Sequence, residues 1–110
     1  MSIPRDRTHP GFPVHPGSIL REDFLAPIGL NANALANSLN VSPKRISEIV
    51  AERRGITADT AYRLALYFGA SPEFWTSLQS NYELALLYIR SGPTIKKQVL
   101  PRVMETENNA

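Results

Sequence analysis

Four cations stand close together in the middle of this chain: Lys44, Arg45, Arg53 and Arg54. With Glu48 and Glu52 between them, the stretch carries a net charge of +2, which is the formal net charge of the whole 110-residue sequence. The basic excess is therefore local. Ser42-Pro43 precedes the first pair of cations and supplies an N-cap residue followed by a proline suited to the first helical position. A helix opening at Pro43 puts Lys44 and Arg45 in its first turn, against the positive end of the helix dipole. That placement costs roughly 0.3–1 kcal/mol per exposed cation. A sequence shaped for stability alone would carry acids there. The cost has a use if the helix start meets a polyanion, because cations and free helix amides bind phosphates and guanine edges.

Ile46, Ile49 and Val50 form the inward stripe of that helix, which leaves Pro43, Lys44, Arg45, Ser47, Glu48 and Glu52 on its outer face. Pro43, Lys44, Arg45, Ser47 and Glu48 are the candidates for reading base edges. Ser42, Arg53, Arg54 and Thr57 are the candidates for holding phosphates, which set register and affinity without reading sequence. Arg63 reads equally well as a structural surface residue.

Such a helix needs neighbours that hold it at a steep angle, and the flanking sequence supplies them. Apolar residues at helical spacing from Ser18 predict a first helix over 18–26, closed by Pro27 and Gly29. Asn31 is a good N-cap for a second helix over 32–39, with Leu35, Ala36 and Leu39 on its inner face. Asn40 ends it, because asparagine tolerates the left-handed conformation that a tight turn into Val41 requires. The third helix starts at Pro43, and Gly55 breaks the pattern. Thr57 caps a fourth helix with Ala61, Leu64, Ala65 and Phe68 at core spacing, ended by Gly69. Ser71-Pro72 opens a fifth helix that runs to about residue 90, where Gly92-Pro93 stops it. No segment alternates with period two, so the class is all-α. Two short helices joined by a tight turn are what a helix-turn-helix needs. The alternative is an ordinary small helical bundle with a short loop.

The chain resembles the HigA-type antitoxins of HigBA toxin-antitoxin systems, in the lambda-repressor-like or XRE helix-turn-helix group. The resemblance runs from His15 to about Tyr88. Its strings are His15-Pro16-Gly17-Ser18-Ile19-Leu20-Arg21-Glu22-Asp23-Phe24-Leu25, Ile46-Ser47-Glu48-Ile49-Val50, Arg53-Arg54-Gly55-Ile56-Thr57-Ala58-Asp59-Thr60-Ala61, and Ser71-Pro72-Glu73-Phe74-Trp75 with Leu78-Gln79. Asn40 stands where that family often has glycine, and Ser18 where it often has glutamate. The resemblance implies a five-helix lambda-repressor-like DNA-binding domain. It also implies a protein that neutralises a HigB-like toxin, a RelE-like mRNA endonuclease, and that represses the shared operon as a dimer on an inverted repeat of double-stranded DNA. Independently of it, the six consecutive apolar residues from Leu84 to Ile89 cover every side of the fifth helix, which points to a homodimer through Leu84, Leu87 and Tyr88.

The chain divides on this reading into an N-terminal arm (1–14), a helix-turn-helix domain with its dimerisation helix (15–90) and a C-terminal tail (91–110). There is no cysteine and no run of eighteen apolar residues, so a cytoplasmic protein without disulfides or a membrane span is expected. Two histidines, His9 and His15, lie in or beside the arm, and no paired acid or nucleophile shares a face with them. An enzyme is therefore not expected, and neither is a metal or cofactor. A phage-type repressor without a toxin, and a protein-binding adaptor without DNA contact, are the competing functions.

Overall fold

The computed structural model describes residues 12–103, and these contain helices and no strand. The first helical segment begins as α1 (Pro16–Ile19), continues through a π-wound stretch at Leu20–Leu25 and tightens into a 3₁₀ turn at Ala26–Ile28. It is followed by α2 (Ala32–Leu39), α3 (Pro43–Val50), α4 (Ala58–Phe68) and α5 (Pro72–Gln98). The all-α, five-helix reading thus holds. Residues 1–11 of the expected arm and 104–110 of the expected tail lie outside the described residues. None of the described helices is long and apolar enough to cross a membrane.

Two boundaries differ from expectation. The first helix starts at Pro16, two residues before Ser18, because His15 caps it: the Gly17 N–H donates to His15 Nδ1 at 2.8 Å. Histidine is an uncommon cap and gave no sequence signal. At the other end, α5 does not stop at Gly92-Pro93 but continues to Gln98, with Pro93 inside it. The proline ring fixes φ near its helical value, but it removes the donor to the Ile89 carbonyl and crowds that group. On an exposed stretch, water can serve the carbonyl left without that donor.

Inside these elements the sequence signals work as expected. Asn31 Oδ1 accepts from Ala34 N at 2.8 Å and starts α2. Asn40 closes it in the left-handed conformation (φ 58°, ψ 48°), and Val41 N then donates to Ala36 O at 3.0 Å. The result is a tight turn that sets α3 across α2. Leu20, Leu35, Ala36, Ile46, Ile49, Ala61, Leu64 and Trp75 are completely buried and form one core. Phe24, from the π-wound stretch, packs between Phe68 and Trp75 with ring centroids 5.0 and 4.8 Å away.

Gly17 explains how closely α1 meets α3. A Cβ at this position would fall 1.8 Å from the carbonyl oxygen of Ile49. Only glycine allows the two backbones to touch there, and the contact supports the C-terminal end of α3 from below.

His15 is buried and packs edge-on against Tyr82 of α5, ring centroids 4.8 Å apart. Desolvation lowers its pKa; Glu52 opposes that shift and Arg21 reinforces it. The folded state thus favours the neutral ring, whose Nδ1 must remain an acceptor. The unfolded chain takes up the proton first, near the ordinary value of about 6.5. This contribution to stability is full above that pH and is lost as pH falls through the window below it. Urea denaturation between pH 8 and pH 5 should show stability falling most steeply below pH 6.5. His15→Asn, which can cap but does not titrate, should flatten that segment; an unchanged profile in this variant would show that His15 is not the group responsible.

Candidate nucleic-acid interface

Ser42 opens α3: its Oγ accepts from Arg45 N at 3.1 Å, and Pro43 follows at the first helical position. The helix runs only to Val50, and its inward residues Ile46 and Ile49 are completely buried. Its outer face therefore stands clear of the core at a fixed angle. Lys44 projects furthest, its side chain 76 % exposed and its Nζ 3.9 Å from Glu48 Oε2. Pro43 and Ser47 are exposed beside it, and the Ser47 hydroxyl donates to Lys44 O at 3.1 Å.

Arg45 lies elsewhere. Its side chain turns toward α4, where Nη1 donates to Asp59 Oδ1 at 2.8 Å and to Thr60 Oγ1 at 3.2 Å. The same Asp59 oxygen accepts from Arg63 Nε at 2.7 Å, and Arg63 Nη1 reaches the carbonyl of Leu39 at 2.9 Å. Hydrogen bonds from Arg63 and then Arg45 hold the Asp59 carboxyl below the usual carboxylate range. One carboxylate thus ties the start of α3 to α4 and, through Arg63, to the end of α2. Asp59 and this role of Arg63 were not read from sequence; the i, i+4 spacing of the pair was the one signal available.

The loop after α3 carries the other two cations. Glu52 takes up a left-handed conformation (φ 63°), and Arg53 N donates back to Glu48 O at 2.8 Å, so the chain reverses tightly over the last turn. Arg54 is thereby laid against Glu48, with Nε 2.9 Å and Nη2 2.8 Å from Oε1. Arg53 is exposed and has no ion-pair partner among the described residues. Arg21, likewise not foreseen, sits beneath the end of α3: Nη1 donates to Val50 O, and Nη2 pairs with Glu52 at 3.2 Å and Glu22 at 3.1 Å. A cation at that end suits the helix dipole. Thr57 caps α4 by accepting from Thr60 N at 3.3 Å, and Gln79 of α5 anchors the loop by accepting from Ile56 N at 2.8 Å.

Of the sequence candidates, Ser42, Pro43, Lys44, Ser47 and Glu48 thus share one face of α3, Arg45 is turned from it onto Asp59, and Arg53 and Arg54 follow its C-terminal end, with Arg54 on Glu48. Thr57 stands at the start of α4. The remaining three, on α5, are distant from this surface by sequence and element. Leu84, Leu87 and Tyr88 are 44 %, 42 % and 59 % exposed, and an open, mostly apolar groove beside them is lined by Leu87, Tyr88, Gly92, Pro93, Ile95 and Lys96. A second exposed apolar group, Tyr62, Leu66 and Tyr67 on α4, carried no distinct signal in the sequence.

The helix-turn-helix family model matches residues 20–75. Virulence-associated protein I of Dichelobacter nodosus is 54 % identical over 86 residues, covering 78 % of this chain and 79 % of that protein. Antitoxin HigA-1 of Vibrio cholerae is 35 % identical over 72 residues, covering 66 % of this chain and 68 % of its own length. Among solved structures, the Pseudomonas aeruginosa antitoxin HigA with the higBA promoter superposes with a TM-score of 0.80 at 45 % identity, covering 83 % of this chain and 99 % of that one.

The cap of α3 is open to a direct stability test. Replacing Ser42 by alanine removes the acceptor for Arg45 N and should cost about 0.5–2 kcal/mol, whereas glycine should cost only a few tenths. Equal losses for the two substitutions in urea titrations would show that the hydroxyl does not act as a cap.

Proposed function

We propose that this chain, which belongs to the helix-turn-helix family and within it to the HigA-type antitoxins, is a homodimeric repressor that binds the operator of its own operon and neutralises a RelE-like endonuclease toxin. The observation that carries the DNA-binding half is the capped start of α3, which presents Lys44 on a helix locked to the core by Ile46 and Ile49. A helix held this way can enter the major groove with its N-terminal residues against base edges. The structure of a relative of 45 % identity over nearly its full length, an antitoxin with the higBA promoter, supports the reading.

In this scheme Pro43, Lys44, Ser47 and Glu48 face the bases, and Ser42, Arg53, Arg54 and Thr57 face the phosphates. The pairing with Asp59 turns the Arg45 guanidinium toward α4, so that Lys44 and Ser47 are the leading base readers. Leu84, Leu87 and Tyr88 supply the two-fold contact. The half-sites then lie about one helical turn, roughly 34 Å, apart, and the operator is an imperfect palindrome. The toxin occupies a surface other than the outer face of α3, because that face cannot be covered by two partners at once. Residues 15–98 form the working unit, and the cytoplasm is its compartment.

Two variants test the scheme. Lys44→Glu combined with Arg53→Glu alters two exposed side chains outside the Asp59 network, so helix content should stay unchanged and melting should shift only slightly. Operator binding should be lost, the operon derepressed, and cells producing the neighbouring toxin still rescued. Operator binding within about twofold of wild type would refute the DNA surface; failure to rescue by the folded variant would refute a separate toxin surface. Leu87→Glu should convert a dimer seen by sedimentation at micromolar concentration into a folded monomer with much weaker operator binding. A wild-type monomer at that concentration would refute the α5 interface.

A further inference from the structure

Between Arg54 and Thr57 the chain is gripped by one side chain of α5. Gln79 Oε1 accepts from Ile56 N at 2.8 Å, and its Nε2 donates to Glu83 Oε2 at 2.9 Å, one turn further along the helix. The carboxylate can only accept, so it fixes the orientation of the amide and leaves Oε1 for the loop. Gly55 makes room for the contact: a Cβ there would fall 2.8 Å from Gln79 Nε2 and 2.9 Å from Oε1. Among the described glycines, only Gly17 and Gly55 would bring a Cβ into a clash. Gly17 brings α1 against the last turn of α3, and Gly55 brings the loop after α3 against α5. Both close approaches thus serve the C-terminal end of α3. On α5 itself, Gln79 and Tyr82 are half-buried and turned inward with Trp75 and Ala85, whereas Leu84 and Tyr88 stand on the exposed side.

We infer that Gln79 is a positioning residue that registers the loop after α3 on the dimer helix, and so sets which half-site spacing the protein accepts. This rests on the reading of α5 as the two-fold contact and of α3 with its loop as the DNA surface. It goes beyond that reading by naming the side chain that ties one to the other. The loop carries Arg53 and Arg54 immediately before Gly55, and Thr57 immediately after Ile56. A grip on Ile56 N therefore fixes where these phosphate candidates stand along α5, and, across a two-fold axis, how far apart the two loops stand. One added base pair moves the half-sites about 3.4 Å further apart and turns them by roughly 35°. A loop locked to α5 cannot follow both changes, whereas a loop released from Gln79 follows them at small cost. Within one protomer, Ile46 and Ile49 hold α3 to the core in either case. Affinity for a single half-site is thereby independent of Gln79, and the discrimination between spacings is not.

The test uses the full chain and a duplex selected by it in vitro from random sequence. Derivatives of that duplex have one base pair inserted or removed at the centre, and a further one keeps a single half-site. Wild type should prefer the selected spacing by about tenfold or more, since the mismatch must otherwise be taken up by deforming the DNA. Gln79→Met has similar bulk and no acceptor for Ile56 N. It should remain a dimer, bind the single half-site within about twofold of wild type, and lower the spacing preference to about threefold or less. Gly55→Ala, whose methyl displaces the Gln79 amide, should broaden the spacing in the same way although Gln79 is unchanged. Gln79→Glu keeps an acceptor for Ile56 N and should retain the preference. A full preference in dimeric Gln79→Met would overturn the inference, as would equal losses on the single half-site and the selected duplex, which mark a merely structural role. A monomeric Gln79→Met would also overturn it, because registering and pairing would then not be separate. A wild type that does not dimerise, or does not bind any selected duplex, would instead overturn the reading on which the inference rests.

Discussion

A two-turn helix has little stability of its own in water. The outer face of α3 exists as a surface only because Ile46 and Ile49 are completely buried beneath it, each burial contributing roughly 1.5–3 kcal/mol. The contacts around α3 add to that anchor. Ser42 closes its start, Arg21 and the Gly17 backbone support its end, and the left-handed Asn40 sets its angle to α2. Loosening this underside would lose the arrangement of Lys44, Ser47 and Glu48 before any of those residues had changed.

The cations on this surface follow a different rule from the core. Arg45 is paired with Asp59, and Arg54 with Glu48. Pairs at the protein surface contribute little to stability, so their significance lies in direction. Asp59 holds Arg45 along the α3–α4 junction, and Arg63 extends the same carboxylate's reach to Leu39 O. The net charge of +2 in this region therefore understates its organisation, because the charges are placed by specific partners on three helices and a loop.

The sequence made legible those features that depend on local chemistry. Asn31, Ser42, Thr57 and Ser71 each cap the helix expected of them, and the helical spacing of Leu35, Leu39, Ile46, Ile49, Ala61 and Leu64 marked residues that are buried. What escaped depends on distant or unusual partners. His15 caps with a ring nitrogen, and Glu52 adopts a conformation that glycine or asparagine ordinarily fills. Pro93 was read as a stop, although the exposed helix continues past it with one donor lost and the Ile89 carbonyl crowded. The candidate site was legible as a set of residues, but not as a set of directions: nothing in the spacing of Arg45 and Asp59, fourteen residues apart, reveals that the two meet.

The central claim is that the start of α3 and the loop after it, as one rigid surface, meet DNA. The most direct measurement is a titration of isotopically labelled protein with an operator duplex, followed by amide chemical shifts. The largest changes should fall at residues 44–48 and 53–55, with small ones at residues 62–67 of α4. Changes centred on α4, with the amides of residues 44–48 unmoved, would contradict the account.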